Sequence, residues 1–167
     1  MGTTIIELPV EQAEYRSTNF PQLLKYNGTN APIFALLFDA TADEAVFFNF
    51  VANRYGSGNV TVELDWFADS ATSGNVVLGA SIGCITADTD TTDTTTKALG
   101  TEATVTDSHL GTTGKRLHRA SVTITSLDSI AVNDRILLRI RRLGSSGSDT
   151  MTGDLALVGI RVTYSDV

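Results

Sequence analysis

The sequence is poor in the residues that most soluble chemistry uses. It holds one cysteine, Cys84, so no disulfide can close within the chain. It holds two histidines, His109 and His118, one tryptophan, Trp66, and only 7% aromatic residues. Charged residues make up 19%, and the 12 basic side chains are outnumbered by 19 acidic ones, for a net charge of −7. A chain this acidic lacks the basic footprint that sequence-independent nucleic-acid binding needs, so nucleic acid is excluded as a partner. No apolar run approaches the length of a membrane span, and membrane is excluded likewise. "MGTTIIELPVEQAEY" lacks a basic start and a continuous apolar stretch, so no secretion leader is expected.

Catalytic motifs are missing too. No G-x-S-x-G elbow, P-loop or H-E-x-x-H occurs, and neither histidine stands beside a nucleophile motif. His109, in "TDSHLGTTGK", lies in a loop by composition and His118, in "RLHRAS", at a strand start, and each reads as a solvated or edge-strand side chain. Catalysis needs partners in defined roles, so the chain is expected not to be an enzyme and to need no cofactor. Glu63 and Asp65 share a strand face and have the residue types a glycosidase uses, but two acids are also what a solvated sheet face carries.

What the chain has in quantity is apolar residues, 42%, set in a background of Thr and Ser. The dominant period is two. In "NVTVELDWFAD" Val60, Val62, Leu64 and Trp66 share one parity, which makes a half-buried strand and places Trp66 in the core. "NVVLGASIGCIT" alternates Val76, Leu78, Ala80, Ile82 and Cys84 against Val77, Gly79, Ser81 and Gly83. Small residues on that second face predict close approach by a neighbouring chain or loop, and Cys84 reads as a buried inert thiol. "SATSG", Ser70 to Gly74, reads as a hairpin turn joining these two strands. "TTIIEL", "PIFALLFDA", "EAVFFNFVA", "EATVTD", "RASVTIT", "RILLRIRR" and "DLALVGIRVTY" supply further strands, the last with a parity change near Gly159 that predicts a bulge. "SLDSIAVND" has the composition for a single turn of helix; no other segment has a helical period. Eight or nine strands with polar turns predict an all-β fold, an antiparallel β-sandwich of jelly-roll type.

The stretch "CITADTDTTDTTTKALG", Cys84 to Gly100, breaks the strand pattern with little but Thr, Asp and Ala. It reads as a long loop inside one domain, crossing from one sheet to the other as jelly-roll topology requires. Asp88, Asp90 and Asp93 supply oxygens of the kind calcium takes. The EF-hand spacing fails, with Leu99 where its last ligand belongs, so no metal is assigned.

Two features point to association. "PIFALLFDATADEAVFFNF" carries large residues on both parities, Leu37 as well as Leu36 and Phe47 as well as Phe48. Either a loop or another subunit must cover the second face. Arg139 and Arg141, with Arg161 further on, make a local basic stripe on outer strand faces, suited to cross-strand acid partners or to an interface. Phe47, Leu37, Arg139, Arg141 and Arg161 are therefore interface candidates. Tyr15, Tyr26 and Tyr55 lie in irregular segments and are the aromatics expected at the surface, where a sugar can stack.

"DTMTGDLALVGIRVTY", preceded by "AVNDRILLRIRR", resembles a jelly-roll domain of virion proteins of tailed bacteriophages, and "VELDWFADSATSGNVVLGASIG" fits the same pattern. The resemblance spans roughly the last two thirds of the chain. Residues 1–40 fall outside it and read as an N-terminal arm with the first strand or strands, suited to docking. Residues 41–167 make the sandwich, with the arm packed on it. The resemblance implies a non-enzymatic virion protein that works by assembly. It implies a capsid decoration protein, a homotrimer partnered by the phage major capsid protein and located in the virion. The alternative it leaves open is a carbohydrate-binding or receptor-binding module of a tail or host-adhesion device, with glycans as partners.

Overall fold

The computed structural model describes residues 2–167. Its strands are β1 (Thr3–Glu7), β2 (Gln22–Asn27), β3 (Pro32–Phe38), β4 (Asp43–Val51), β5 (Tyr55–Ala68), β6 (Asn75–Ile85), β7 (Ala103–Ser108), β8 (His118–Ile124), β9 (Arg135–Leu143) and β10 (Leu155–Asp166). The strand that periodicity does not disclose is β2, whose side chains are mostly exposed on both faces. A short 3-10 turn at Val10–Gln12 is the only helical element among the described residues, and "SLDSIAVND" forms tight turns instead of a helix.

The strands form two antiparallel sheets. One has six strands in the order β2-β3-β10-β5-β8, with β1 also on β10; the other has four, β4-β9-β6-β7. On β10, β3 pairs with Leu155–Leu157 and β1 with Arg161–Ser165, so the two follow one another along the same strand. The architecture is an antiparallel β-sandwich of jelly-roll type. Residues 2–40 contribute β1, β2 and β3 to the larger sheet. The bulge near Gly159 is present: register against β5 shifts between Leu157 and Gly159, which turns Ile160, Val162 and Tyr164 inward.

Two connections differ from the sequence reading. Ser70–Gly74 is not a hairpin turn, because β5 and β6 lie in different sheets; the segment carries the chain from one to the other. The long Thr/Asp stretch, conversely, does not change sheets. It joins β6 and β7, which pair directly with Ala80 opposite Ala103. Composition marks a turn but carries no information on which sheet receives the next strand.

Small residues on the outer face of β6 have the cause expected of them. A Cβ on Gly79 would stand 2.8 Å from Glu102 Cδ, and one on Gly83 would stand 2.9 Å from the Ala98 carbonyl oxygen. The covering chain is the protein's own 97–102 segment. It is anchored by Gly100 N–H donating to the Ile82 carbonyl at 2.8 Å and by Lys97 Nζ, 2.9 Å from the Asp128 carboxylate. Cys84 is buried, and burial, helped by Asp128 and Asp134, pushes its thiol up to about 12, which keeps it inert.

Core side chains from both sheets interlock, with Trp66, Leu64, Leu138, Ile140 and Phe48 essentially inaccessible. Neither histidine is solvated. His118 stacks on Trp66 with ring centres 4.4 Å apart, and His109 lies 4.6 Å from His118. Trp66 Nε1 donates to Asp107 at 2.9 Å. Gly111 N–H donates to His109 Nδ1, so His109 Nε2 carries the proton it gives to the Gly114 carbonyl. His118 Nε2 is buried with no hydrogen-bond partner among the described residues. His109 lies in a loop and His118 starts the edge strand β8, as expected, but pairing register sets His118 directly opposite Trp66 and so buries it, a long-range fact that local composition does not hold.

The most buried charge is Arg142. Its side chain and that of Asp149 are both 0% exposed and paired at 2.8 Å. Arg142 also donates to the carbonyls of Met151 and Gly153, both at 2.9 Å.

Three outcomes are expected. Arg142→Ala strands the Asp149 carboxylate and should cost about 3–5 kcal/mol, roughly 10 °C of melting temperature, whereas the half-exposed Arg119→Ala should cost under about 1 kcal/mol. Thermal denaturation followed by circular dichroism measures both. Limited proteolysis should cut first between Asp90 and Thr96, which are exposed. The fragments should co-elute natively, because β5–β10, β5–β8 and β6–β9 pairings span the cut. Separation into two folded pieces would contradict the single core. Burial, then His109 and Arg116, holds His118 below the ordinary histidine value, against Asp107. The unfolded chain therefore takes up that proton first. This share of stability is complete above about pH 6.5 and is lost as pH falls below it. The melting temperature should drop by a few degrees between pH 7.5 and 5.5, and His118→Phe should flatten that slope.

Candidate functional site

The outer face of the four-stranded sheet is built by alternation. Residues of β4 and β9 with one parity enter the core as Val46, Phe48, Ile136, Leu138 and Ile140. The other parity turns out. Pairing then sets three rows across the face: Asn49 by Leu137 and Gly83, Phe47 by Arg139 and Ser81, and Ala45 by Arg141 and Gly79.

Two segments wall this face. Residues 14–19 run beside the free edge of β4: Glu14 and Phe47 exchange backbone hydrogen bonds of 2.8 and 3.0 Å, and Ala45 N–H donates to the Asn19 carbonyl at 2.9 Å. The opposite wall is the end of the long Thr/Asp loop with the start of β7. Between them lies a recess of about 270 Å³, floored by Phe47, Asn49 and Leu137 and flanked by Tyr15, Thr95 and Lys97. A second, more polar recess of about 280 Å³ takes in Arg16, Asn19, Asp43, Arg139 and Arg141. Arg16 lines both, its guanidinium carbon 4.7 Å from the centre of the Phe47 ring. The two recesses thus adjoin at that side chain, and the two together are termed the groove.

Tyr15 is 42% exposed and meets Phe20, 39% exposed, edge to face at 5.6 Å. Partial burial pushes the Tyr15 phenol up from its ordinary value, so it stays protonated and can donate. Asn49 is held in place by donating to Glu14 at 2.7 Å. Glu102 accepts from Arg139 and from Arg141, both at 3.1 Å, and Arg141 also reaches Asp43 at 3.2 Å. Burial draws Arg139 below its ordinary value, opposed by Glu102 and reinforced by Arg141 and Arg16.

The interface candidates divide between the two sheets. Phe47, Arg139 and Arg141 sit together in the groove. Arg161 is on the other sheet, bonded at 3.0 Å to Glu7 and to Glu63. Leu37 is there too, packed with Tyr26, Phe67 and Val158 around Ala35 and Ala156. The basic stripe is therefore not continuous. The outer faces of β3 and β4 are covered by the chain only in part: Leu37 and Phe47 are half-buried, while Ile33 and Phe34 stay 42% and 40% exposed. Of the tyrosines, Tyr15 is exposed; Tyr26 is half-buried and donates to Asp69, and Tyr55 is buried against Tyr164. Glu63 and Asp65 do not face one another as a free acid pair, since Arg161 binds one and Arg119 grips the other through two bonds of 2.6 and 2.8 Å.

The aspartates of the long loop do not converge. Asp90 accepts from Thr86 N–H and Asp93 from both Thr95 N–H and its hydroxyl, which are turn bonds within the loop. Among the described residues no three His, Cys, Asp or Glu side chains are grouped to hold a metal ion. Arg16, Glu102 and Asn49 were not singled out by sequence; they lie in irregular or polar stretches, and only the strand register joins them to Arg139.

No family model matches the chain, and no curated protein matches it by sequence. In solved structures it is similar to a carbohydrate-binding module of family 28 specific for non-crystalline cellulose. The TM-score is 0.55 at 8% identity, over 93% of this chain and 89% of that one. It is also similar to a family 35 carbohydrate-binding module from Cellvibrio japonicus Abf62, at a TM-score of 0.49 and 12% identity over 98% and 95% of the two chains. At such identities the likeness is one of fold: the chain has the β-sandwich of the family 28 module.

Proposed function

We propose that this protein is a carbohydrate-binding module, and that it holds a glycan chain in the groove across its four-stranded sheet. The observation that carries this is the lining of that groove. It pairs an exposed aromatic, Tyr15, with fixed polar groups, Asn49, Arg139 and Arg141, over an apolar floor of Phe47 and Leu137. Sugar rings present an apolar face and an equatorial fringe of hydroxyls. An aromatic plane covers the first, and held amides and guanidinium groups bond the second. The fold it shares with a module specific for non-crystalline cellulose supports the same reading, though fold alone does not fix function. Binding here needs no acid–base pair, and the carboxylates near the groove are engaged: Glu14 by Asn49, Glu102 and Asp43 by arginines. The module binds without cleaving.

The capsid-decoration reading rests on the sequence resemblance alone. The fold likeness and the groove both favour its alternative, a glycan-binding or receptor-binding module.

A glycan array followed by isothermal titration against the best oligosaccharide tests this. Tyr15→Ala should weaken binding about tenfold, roughly 1.4 kcal/mol. Phe34→Ala, equally exposed but on the opposite sheet, should leave affinity unchanged. Absence of any glycan ligand, together with binding to empty phage capsids, would reverse the choice.

A further inference from the structure

In a chain of net charge −7, the polar half of the groove concentrates arginine. Arg16, Arg139 and Arg141 converge on one recess, against the two carboxylates of Glu102 and Asp43. Within the polar recess three cations face two anions, an excess of one positive charge; Glu14, in the adjoining recess, is bonded to Asn49. That charge falls on Arg16, which has no carboxylate partner among the described residues and stacks on Phe47 instead.

Arg139 is also incompletely satisfied. It gives one bond to Glu102, while its Nε, buried, has no hydrogen-bond partner among the described residues. Its cross-strand neighbour Ser81 has a buried hydroxyl in the same condition. Arg16 and Arg141 both add repulsion at Arg139. The ion pairs engage Arg139 and Arg141 with Glu102 and Asp43 and leave Arg16 outside the network. Guanidinium groups meet a planar carboxylate or a sulfate through two parallel bonds, which suits them to an anionic ligand more than to neutral hydroxyls.

We infer that the groove selects an anionic glycan, one bearing a uronate carboxylate or a sulfate ester, with the anionic group seated among Arg16, Arg139 and Arg141. This rests on the glycan-binding reading of the same groove. The apolar half, at Tyr15 and Leu137, would then take the adjoining sugar ring, and Arg16 would sit between the two as both charge and divider.

The test compares a 1,4-linked hexauronate, its carboxyl-reduced neutral counterpart and a sulfated form of that neutral chain, by titration calorimetry at 20 and 300 mM salt. At low salt one of the anionic forms should bind about tenfold or more tighter than the neutral chain, and the better of the two identifies the group. The advantage should shrink at high salt, where charges this close to the surface are screened. Arg16→Gln should remove most of the advantage, read as the ratio of anionic-chain to neutral-chain affinity within that variant. Arg161→Gln, on the other sheet, should change nothing. Equal affinity for all three chains would leave the glycan reading standing and overturn this inference. Equal losses in the Arg16 and Arg161 variants would overturn it too, as general charge attraction. No binding of any chain would overturn both readings.

Discussion

The Arg142–Asp149 pair is the constraint on which the two-sheet arrangement turns. Arg142 leaves β9 on the inner side, and its bonds run to the 149–153 connection and towards the end of β3 at Phe38. Asp149 in turn accepts from Val77 N–H on β6. One ion pair thus ties strands of both sheets to the connection leading into β10, the strand that borders β1, β3 and β5. A buried pair is costly to desolvate, and an apolar replacement of matched shape often does as well for stability. Here the guanidinium does something an apolar side chain cannot: it satisfies carbonyls in a turn that has no ladder partners of its own.

With that end of the sandwich fixed, the two outer faces diverge. On the six-stranded sheet the exposed charges close on one another, as in Arg161 with Glu7 and Glu63, and Arg119 with Asp65. Such pairs make a finished, solvated surface. On the four-stranded sheet the chain lays two irregular segments along the face and leaves a gap between them. The strands supply the rigid floor and the loops supply walls, the usual division of labour in binding sites held on a β scaffold.

Much of the fold was legible because alternation is a local property. Val60 to Trp66 and Val76 to Cys84 declare which side chains enter the core, and the parity change at Gly159 declares the bulge. The glycines of β6 even announced a covering segment, since only a close neighbour makes a side chain there impossible. What period two cannot carry is partnership. Nothing in "SATSG" distinguishes a hairpin from a passage between sheets, and nothing in "RILLRIRR" and "GIRVTY" tells that their arginines end on opposite sides of the molecule. The site suffered most, because it is a product of register: Phe47 meets Arg139 only through β4–β9 pairing, and Arg16 joins them from a stretch with no periodicity. The burial of the histidines was missed for the same reason. The ring they pack against is Trp66, distant along the chain and adjacent only after folding.

The long Thr/Asp connection has a further consequence for how this scaffold can change over generations. Both its ends are pinned, by β6–β7 pairing and by Lys97 on Asp128, while the stretch around Asp90 contributes to no ladder. Closure entropy rises only with the logarithm of length, about 0.6 kcal/mol for each doubling. Insertions and deletions at this apex are therefore nearly neutral for folding, yet every one of them reshapes a wall of the groove. The same loop that looks featureless in sequence is where mutation can reshape the surface without placing the sandwich at risk.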